Sequence, residues 1–414
     1  MANISTPIAY GDEAPLTEAG PQQLEEIAQA VFHCRFGRVR LLARTDQIPE
    51  KFWAEGFSHL CLDHRYYPIV EEGLTQNFTY RYLLMEDREG RVRGIQPLFI
   101  VHQDLLAGLP ASIRRLVDRV RRFAPGFLKL KLNTLMVGCS AGEGDLGGAA
   151  GHGQRWIAEA LHEVLPLVSK ACKASIIVLK DFPSRYRTHL SVFSANGYRR
   201  MPSLPAIRLE LDFADFEEYM ATRLSKKTRK NLRQKFKKTA DLPIRMEVLH
   251  DASAIIDELY PLYLAVHERS QFRFEKLTRA YFREIGRRMG DRARFFVWRL
   301  EGKAIAFSLC FVHDGVIHDC CLGLDYGVAL DYHLYFTSWR DIVVWSLRQG
   351  LKHYYSGPLN YEPKLHFRCD LAPLDLYITH TSRWFNPLFR SLLSFLEPVR
   401  HQPIIRRFRN AHEL

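Results

Sequence analysis

Lys364 stands in the segment YSGPLNYEPKLHFR, behind a Gly-Pro turn and an aromatic residue and close to the end of a short strand-like stretch. If that strand end opens on a cleft, a cation there can hold a phosphate or stabilise the oxyanion of a tetrahedral intermediate; otherwise it is an exposed loop lysine. Asp325 and His333 flank the start of the helix-like run that precedes the strand. An amine must lose a proton before it attacks a thioester, and a carboxylate or imidazole at this place can take it, directly or through water. The plainer reading makes Asp325 a turn residue and His333 a packed ring. Tyr361 either protonates a leaving thiolate or simply packs.

Cations are concentrated elsewhere. Nine of the sixteen residues from Arg223 to Lys238 are Lys or Arg. Leu224, Thr228, Leu232 and Phe236 form one stripe of a helix, with Lys227, Arg229, Lys230 and Arg233 on the rest of its surface. Such a helix is either a solvated linker or a positive wall beside a cleft that receives CoA phosphates, tRNA or lipid headgroups. The loop GCSAGEGDLGGAAGHGQ, from Gly138 to Gln154, joins a strand to a helix. Its glycines either admit backbone N–H groups to a phosphate or make a flexible surface loop.

The elements that must position these residues come twice. In the first half, TYRYLLMED and RVRGIQPLFIVHQ form a hairpin, NTLMVGCS is the next strand, and a helix from Gln154 to Ser169 leads to the strand ASIIVLKDF. A helix over 184–195 and the strand SLPAIRLELDF close that half. The second half opens with a basic helix over 214–238 and the strand LPIRMEVLH, followed by helices over 252–270 and 277–289. A three-strand meander with turns at Glu301-Gly302 and Asp314-Gly315 comes next, then a helix over 333–349 and the strand LKHYYSG. Helices, meander, helix and strand thus recur, which is a pseudo-repeat. The predicted division is a disordered N-terminus (1–20), a first domain (21–213) with an amphipathic insert (105–129), a second domain (214–383) and a basic amphipathic tail (384–414).

Composition fits a large folded protein with an acidic partner. The 414 residues are 47% hydrophobic and 12% aromatic, enough for more than one core. A net charge of +12 points to a phosphate-rich cosubstrate, nucleic acid or anionic lipid. The eight cysteines show no CxxC pair and no Cys/His ligand spacing, so buried free thiols and a reducing cytoplasm are expected. No signal pattern opens the chain and no apolar run reaches membrane-spanning length. Two basic amphipathic segments, LPASIRRLVDRVRRF (109–123) and the stretch after Phe385, either dock on the protein's own core or lie on the inner face of an anionic membrane.

LSKKTRKNLRQKFKK, the strand end GLDYG, the helix SWRDIVVWSLRQG and YSGPLNYEPKLHFRCDLAP together resemble the two-domain, Fem-like branch of the GNAT N-acyltransferases. The likeness covers roughly residues 215–380, and the first half only by order of elements. It implies an α/β protein of two tandem GNAT-like domains, each with a mixed, mostly antiparallel sheet flanked by helices. In the last segment Gly357, Tyr361, Lys364 and Arg368 match the family pattern. The resemblance places Gly357 and Arg368, with the cations of the basic helix, at the donor. One departure stands out: DYGVALDYHLYF lacks the Arg/Gln-x-x-Gly-x-Gly/Ala loop that usually cradles the CoA pyrophosphate.

The expected activity is transfer of an acyl group other than aminoacyl from acyl-CoA to an amine. Thioester aminolysis needs positioning, a base and oxyanion stabilisation, and no metal is expected. The acceptor is expected to be a lipid-like or envelope-precursor amine, for example a long-chain amino base of the kind acylated by bacterial ceramide synthases related to this superfamily. Two other readings are aminoacyl-tRNA-dependent transfer, as in Fem proteins, and a non-catalytic basic membrane- or nucleic-acid-binding module on a degenerate acyltransferase fold. No RRM-type aromatic strand pair is visible to favour RNA.

Overall fold

The computed structural model describes residues 29–76, 78–104, 119, 131–148, 153–270 and 273–414. The N-terminal twenty residues and, Arg119 apart, the amphipathic insert 105–129 lie outside them. In chain order the elements begin with β1 (Ala30–Cys34), β2 (Gly37–Leu42), α1 (Glu50–Phe57), α2 (Tyr66–Gly73), β3 (Thr79–Asp87), β4 (Val92–Asp104) and β5 (Lys131–Val137). There follow β6 (Gly147–Gly148), α3 (Gln154–Ala171), β7 (Ile176–Pro183), α4 (Ser191–Ala195), β8 (Arg199–Pro202) and β9 (Ala206–Glu210). The middle holds α5 (Phe216–Arg223), α6 (Lys226–Ala240), β10 (Ile244–Leu249), α7 (Ile256–Arg269), α8 (Arg279–Met289), β11 (Ala293–Leu300) and β12 (Lys303–His313). The last are β13 (Val316–Leu324), α9 (Leu334–Arg348), β14 (His353–Ser356), α10 (Tyr361–His366), β15 (Asp370–Ala372), β16 (Leu374–His380) and α11 (Asn386–Leu396).

The chain forms two compact units, each assembled from several stretches. The first comprises Met1–Ser58, Thr75–Ser203 and Leu374–Gln402; the second comprises His59–Leu74, Leu204–Pro373 and Pro403–Leu414. The first sheet runs β1-β2-β3-β4-β5-β7-β16-β8 with β6 on β4, and the second runs β10-β11-β12-β13-β14-β9-β15. Each sheet has a single parallel pair, β5–β7 and β13–β14, and every other pairing is antiparallel. A parallel pair needs a crossover, and α3 and α9 supply it. The two α/β units are therefore GNAT-like in the same way: a mixed, mostly antiparallel sheet whose one parallel pair straddles a helix.

Local chemistry explains most boundaries. The meander turns Glu301-Gly302 and Asp314-Gly315 have φ of 51° and 85°, and 47° and 73°, the two left-handed residues that a tight two-residue hairpin requires. α3 buries Ile157, Leu161, Val164, Leu165 and Val168 against the first sheet at helical spacing. The basic helix expected over 214–238 is two helices. Ser225 adopts an extended backbone and its hydroxyl accepts the Thr228 N–H at 3.2 Å, starting α6 afresh. The helix expected over 184–195 is a single tight turn at Ser184–Tyr186 followed by the short α4. No helix among the described residues is long and apolar enough to cross a membrane.

Candidate active site

In the second unit, β13 and β14 pair only from Val316↔His353 to Asp319↔Ser356. β13 continues against β12 as far as Leu324, so the two parallel strands part after Asp319 and Ser356. Beyond this fork the chain passes Gly357 and Pro358, then takes two left-handed residues, Leu359 (φ 74°) and Asn360 (φ 50°), before α10. A β-carbon on Gly357 would meet no heavy atom within 4 Å, so there is open space at the turn. Left-handed backbone at a leucine costs about 1–3 kcal/mol, and this strain sits in the loop that carries Lys364 back toward the fork.

Lys364 lies on α10 rather than on a loop, and it is only 7% exposed. Its Nζ donates to the Gly357 carbonyl at 2.6 Å. Burial lowers its pKa to about 8, while Asp319 and Cys369 act in the opposite direction. Asp319, the last residue of β13 before the fork, gathers a set of buried and half-buried partners. Ser308 Oγ on β12 donates to Asp319 Oδ1 at 2.5 Å, and the Tyr354 hydroxyl on β14 donates to Oδ2 at 2.7 Å. The Cys310 thiol lies 3.7 Å from the same carboxylate. Burial, and then Asp319, push the Tyr354 and Tyr335 hydroxyls up, and burial pushes the Cys369 thiol up to about 12. The result is a low-dielectric cluster in which one carboxylate acts electrostatically on one ammonium of depressed pKa, a pattern typical of functional sites.

The other expected residues fall in different places. The Tyr361 hydroxyl is buried and donates to the Pro205 carbonyl at 2.8 Å, with its ring edge-on to Phe408, so its proton is engaged by backbone. Arg368 is exposed just past α10, with φ 58°. Asp325 lies just past the end of β13, six residues beyond Asp319 and about 20 Å away at strand rise. Its carboxylate accepts the Lys303 ammonium at 2.8 Å and the Gly327 N–H at 2.9 Å, and Lys303 holds it below the usual carboxylate range. The fork therefore gathers Lys364 and Gly357, while Asp325 serves a turn and a surface pair.

His333 starts α9 with a left-handed backbone, φ 48°. Burial lowers its pKa, and Lys235 and Lys238 of α6 lower it further. Lys235 itself is half-buried, with its ammonium 3.5 Å from the centre of the Phe336 ring and its pKa lowered by burial. α6 thus divides its cations. Arg229 donates to the Leu224 and Ala221 carbonyls at 2.8 and 3.0 Å, closing the end of α5, and Arg233 pairs with Glu217 at 2.8 Å. Lys227 and Lys230 are exposed and, among the described residues, have no acidic partner.

The glycine-rich loop of the first unit is neither a cradle nor a surface loop over its described part, Gly138–Gly148. Three N–H groups are already spent: Gly138 on Pro97 O at 3.0 Å, Gly144 on Asp181 O at 3.0 Å and Gly148 on Leu146 O at 2.9 Å. A β-carbon at Gly144 would strike Phe182 and the Lys180 carbonyl, and one at Gly147 would strike Phe57 and the Ile95 carbonyl. These glycines let the loop pack into the unit; residues 149–152 lie outside the described residues. A cleft of about 410 Å³ in this unit is lined by Arg35, Asp87, Arg93 and Trp156, and one of about 310 Å³ in the second unit by Met246, Trp298, Thr337 and Trp345. The chemistry gathers instead at the fork.

Residues 226–364 match the family described as "Acetyltransferase (GNAT) domain", a span that runs from α6 through the fork and ends on Lys364. The matched span, which lies in the second unit, is thus similar to a GNAT-type acyltransferase domain. No curated protein matches the chain in sequence. Among solved structures, L-PGS from Bacillus licheniformis is similar at 14% identity and a TM-score of 0.50, over 85% of this chain and 97% of that one. FemX is similar at 12% identity and a TM-score of 0.47, over 75% of this chain and 90% of that one. At its identity the L-PGS likeness is one of fold alone.

Proposed function

We propose that this protein moves an acyl group from an acyl-CoA thioester to an amine, with the β13–β14 fork of the second unit as the reaction centre. The observation that carries this reading is the buried Lys364, tied to Gly357 where the strands part and set against the Asp319 carboxylate. As the amine nitrogen bonds to the thioester carbonyl carbon, negative charge grows on the carbonyl oxygen, and the Lys364 ammonium stabilises it. Asp319 takes the proton the amine loses, directly or through water. Expulsion of the thiolate, which then takes up a proton, leaves an amide and free CoA thiol. The start of α9, with His333, Lys235 and Lys238 close to one another, suits the donor's phosphates, and exposed Lys227 and Lys230 extend the positive field.

The acceptor in this reading is a lipid-like or envelope-precursor amine, a long-chain amino base being one concrete case. Support comes from the basic, strongly apolar segment after Phe385. Comparison of lipid and soluble extracts from cells with and without the gene tests it, because an acylated amine missing from the deletion names the product. A second reading, transfer from aminoacyl-tRNA, is favoured by the exposed cations of α6. Calorimetric binding of acyl-CoA without binding of tRNA supports the first reading, and the reverse supports the second.

A further inference from the structure

The helix α11 of the first unit is apolar on two faces, and only one of them is used. Phe389 and Leu393 are buried, and the start of the helix is fixed by Asn386, whose side chain accepts the His380 N–H and donates to the Gly197 carbonyl, both at 3.0 Å. Next to that buried face, Leu388, Leu392 and Phe395 are 65%, 42% and 66% exposed, and Trp384, in the turn before the helix, is 94% exposed. At 100° per residue Leu388, Leu392 and Phe395 fall within an arc of about 60°, and with Trp384 in the turn ahead of them they make an apolar stripe standing in water. Soluble surfaces scatter such residues singly; a contiguous stripe marks a surface that is covered in use.

The charges around the stripe indicate what covers it. From Arg383 to Leu396 there is no Asp, Glu or Lys, while Arg383, Arg390 and Arg400 are exposed. None of the three pairs with a carboxylate among the described residues; Arg400 donates only to the Ser394 carbonyl, at 2.9 Å. An apolar stripe of Trp, Leu and Phe bordered by unpaired arginines complements an anionic lipid surface. The aromatic and aliphatic groups enter the acyl boundary and the guanidinium groups reach the phosphates.

We propose that this face of the first unit docks on an anionic lipid bilayer as an interfacial helix, lying on the membrane without crossing it. The test uses the full chain and vesicles of phosphatidylcholine with or without phosphatidylglycerol, read by flotation and by Trp384 emission, with Trp384→Phe as the optical control. The expected result is binding that needs phosphatidylglycerol and weakens when salt shortens the screening length from about 10 Å at 0.1 M to about 3 Å at 1 M. Binding should fall by about tenfold or more in Leu388→Asp/Phe395→Asp, since two apolar side chains leave the interface. Both positions are exposed, so the far-UV spectrum and thermal midpoint of that variant should match the parent.

Equal binding by the variant, binding indifferent to anionic lipid, or no binding by the parent overturns the proposal. So does self-association of the parent that these substitutions abolish while vesicle binding is absent, which would assign the stripe to a second copy of this chain. These outcomes are independent of whether the fork transfers acyl groups.

Discussion

A lysine held at 7% exposure with a pKa of about 8 is unfavourable for the fold at neutral pH. Between about pH 8 and the ordinary 10.5 the unfolded chain binds more protons than the folded one, so stability rises with pH across that window. Linkage puts the cost of charged Lys364 near 3 kcal/mol below it, and about 1 kcal/mol returns through the bond to Gly357. Lys364→Met should therefore be more stable than the parent by about 2 kcal/mol at pH 7, a gain that disappears by pH 10; thermal unfolding at the two pH values checks it. Asp319→Asn, which keeps the shape but removes the base, should lower turnover by about 10²-fold or more, and it should also lower the thermal midpoint because it takes away the charge that opposes the burial cost of Lys364. Lys364 was legible in the sequence because a cation behind a Gly-Pro turn is conspicuous. Asp319 was not: in VIHDCCLGL it is one polar residue in a strand, and only the pairing with β14 shows that the strand stops being covered there. Asp325 drew attention by sitting at the strand's end, where its carboxylate accepts the Gly327 N–H and pairs with Lys303.

Among the elements, α6 separates structural from electrostatic cations. Arg229→Ala removes a charged donor from the Met220, Ala221 and Leu224 carbonyls at the end of α5 and should destabilise the second unit by about 1–2 kcal/mol, seen in denaturant unfolding. Lys227→Ala/Lys230→Ala should leave stability unchanged. It should instead raise KM for a phosphate-bearing donor about fivefold per cation at low salt, at about 1 kcal/mol each, with the difference shrinking at 0.5 M salt. The run of charges announced a helix, but no charge count tells which cations face backbone carbonyls. The break at Ser225 was readable in principle, because a serine before Lys226 and three residues ahead of Thr228 is a capping signal. The glycine loop misled for the opposite reason: glycine permits close approach of anything, and here the neighbours are Phe182, Phe57 and backbone rather than an anion.

Across the chain, the first sheet is completed by a strand from beyond its own run of elements, and the second takes in the strand that directly follows β8. β9 follows the first unit's β8 yet lies between β14 and β15, and β16 follows β15 yet lies between β7 and β8. Hairpins and the pseudo-repeat were legible because they are local; these two insertions depend on strand pairings between residues far apart in the chain, such as Asp375 with Pro202 and Phe182 or Tyr354 with Leu209, which no local pattern encodes. A chain ending at Pro373 should consequently lose the ordered structure of the first unit, since β16 is the sheet neighbour of β8; hydrogen exchange across β7 and β8 reads this. Acyl transfer at the fork through Lys364 is tested by single-turnover release of thiol from acyl-CoA by the full chain in the presence of an amine-containing lipid extract, compared with Lys364→Met at matched donor binding. The expected result is a loss of about 10²-fold or more in rate with the donor dissociation constant unchanged. Equal rates in the two proteins, or a thioester left intact by both while aminoacyl-tRNA is consumed, would contradict it.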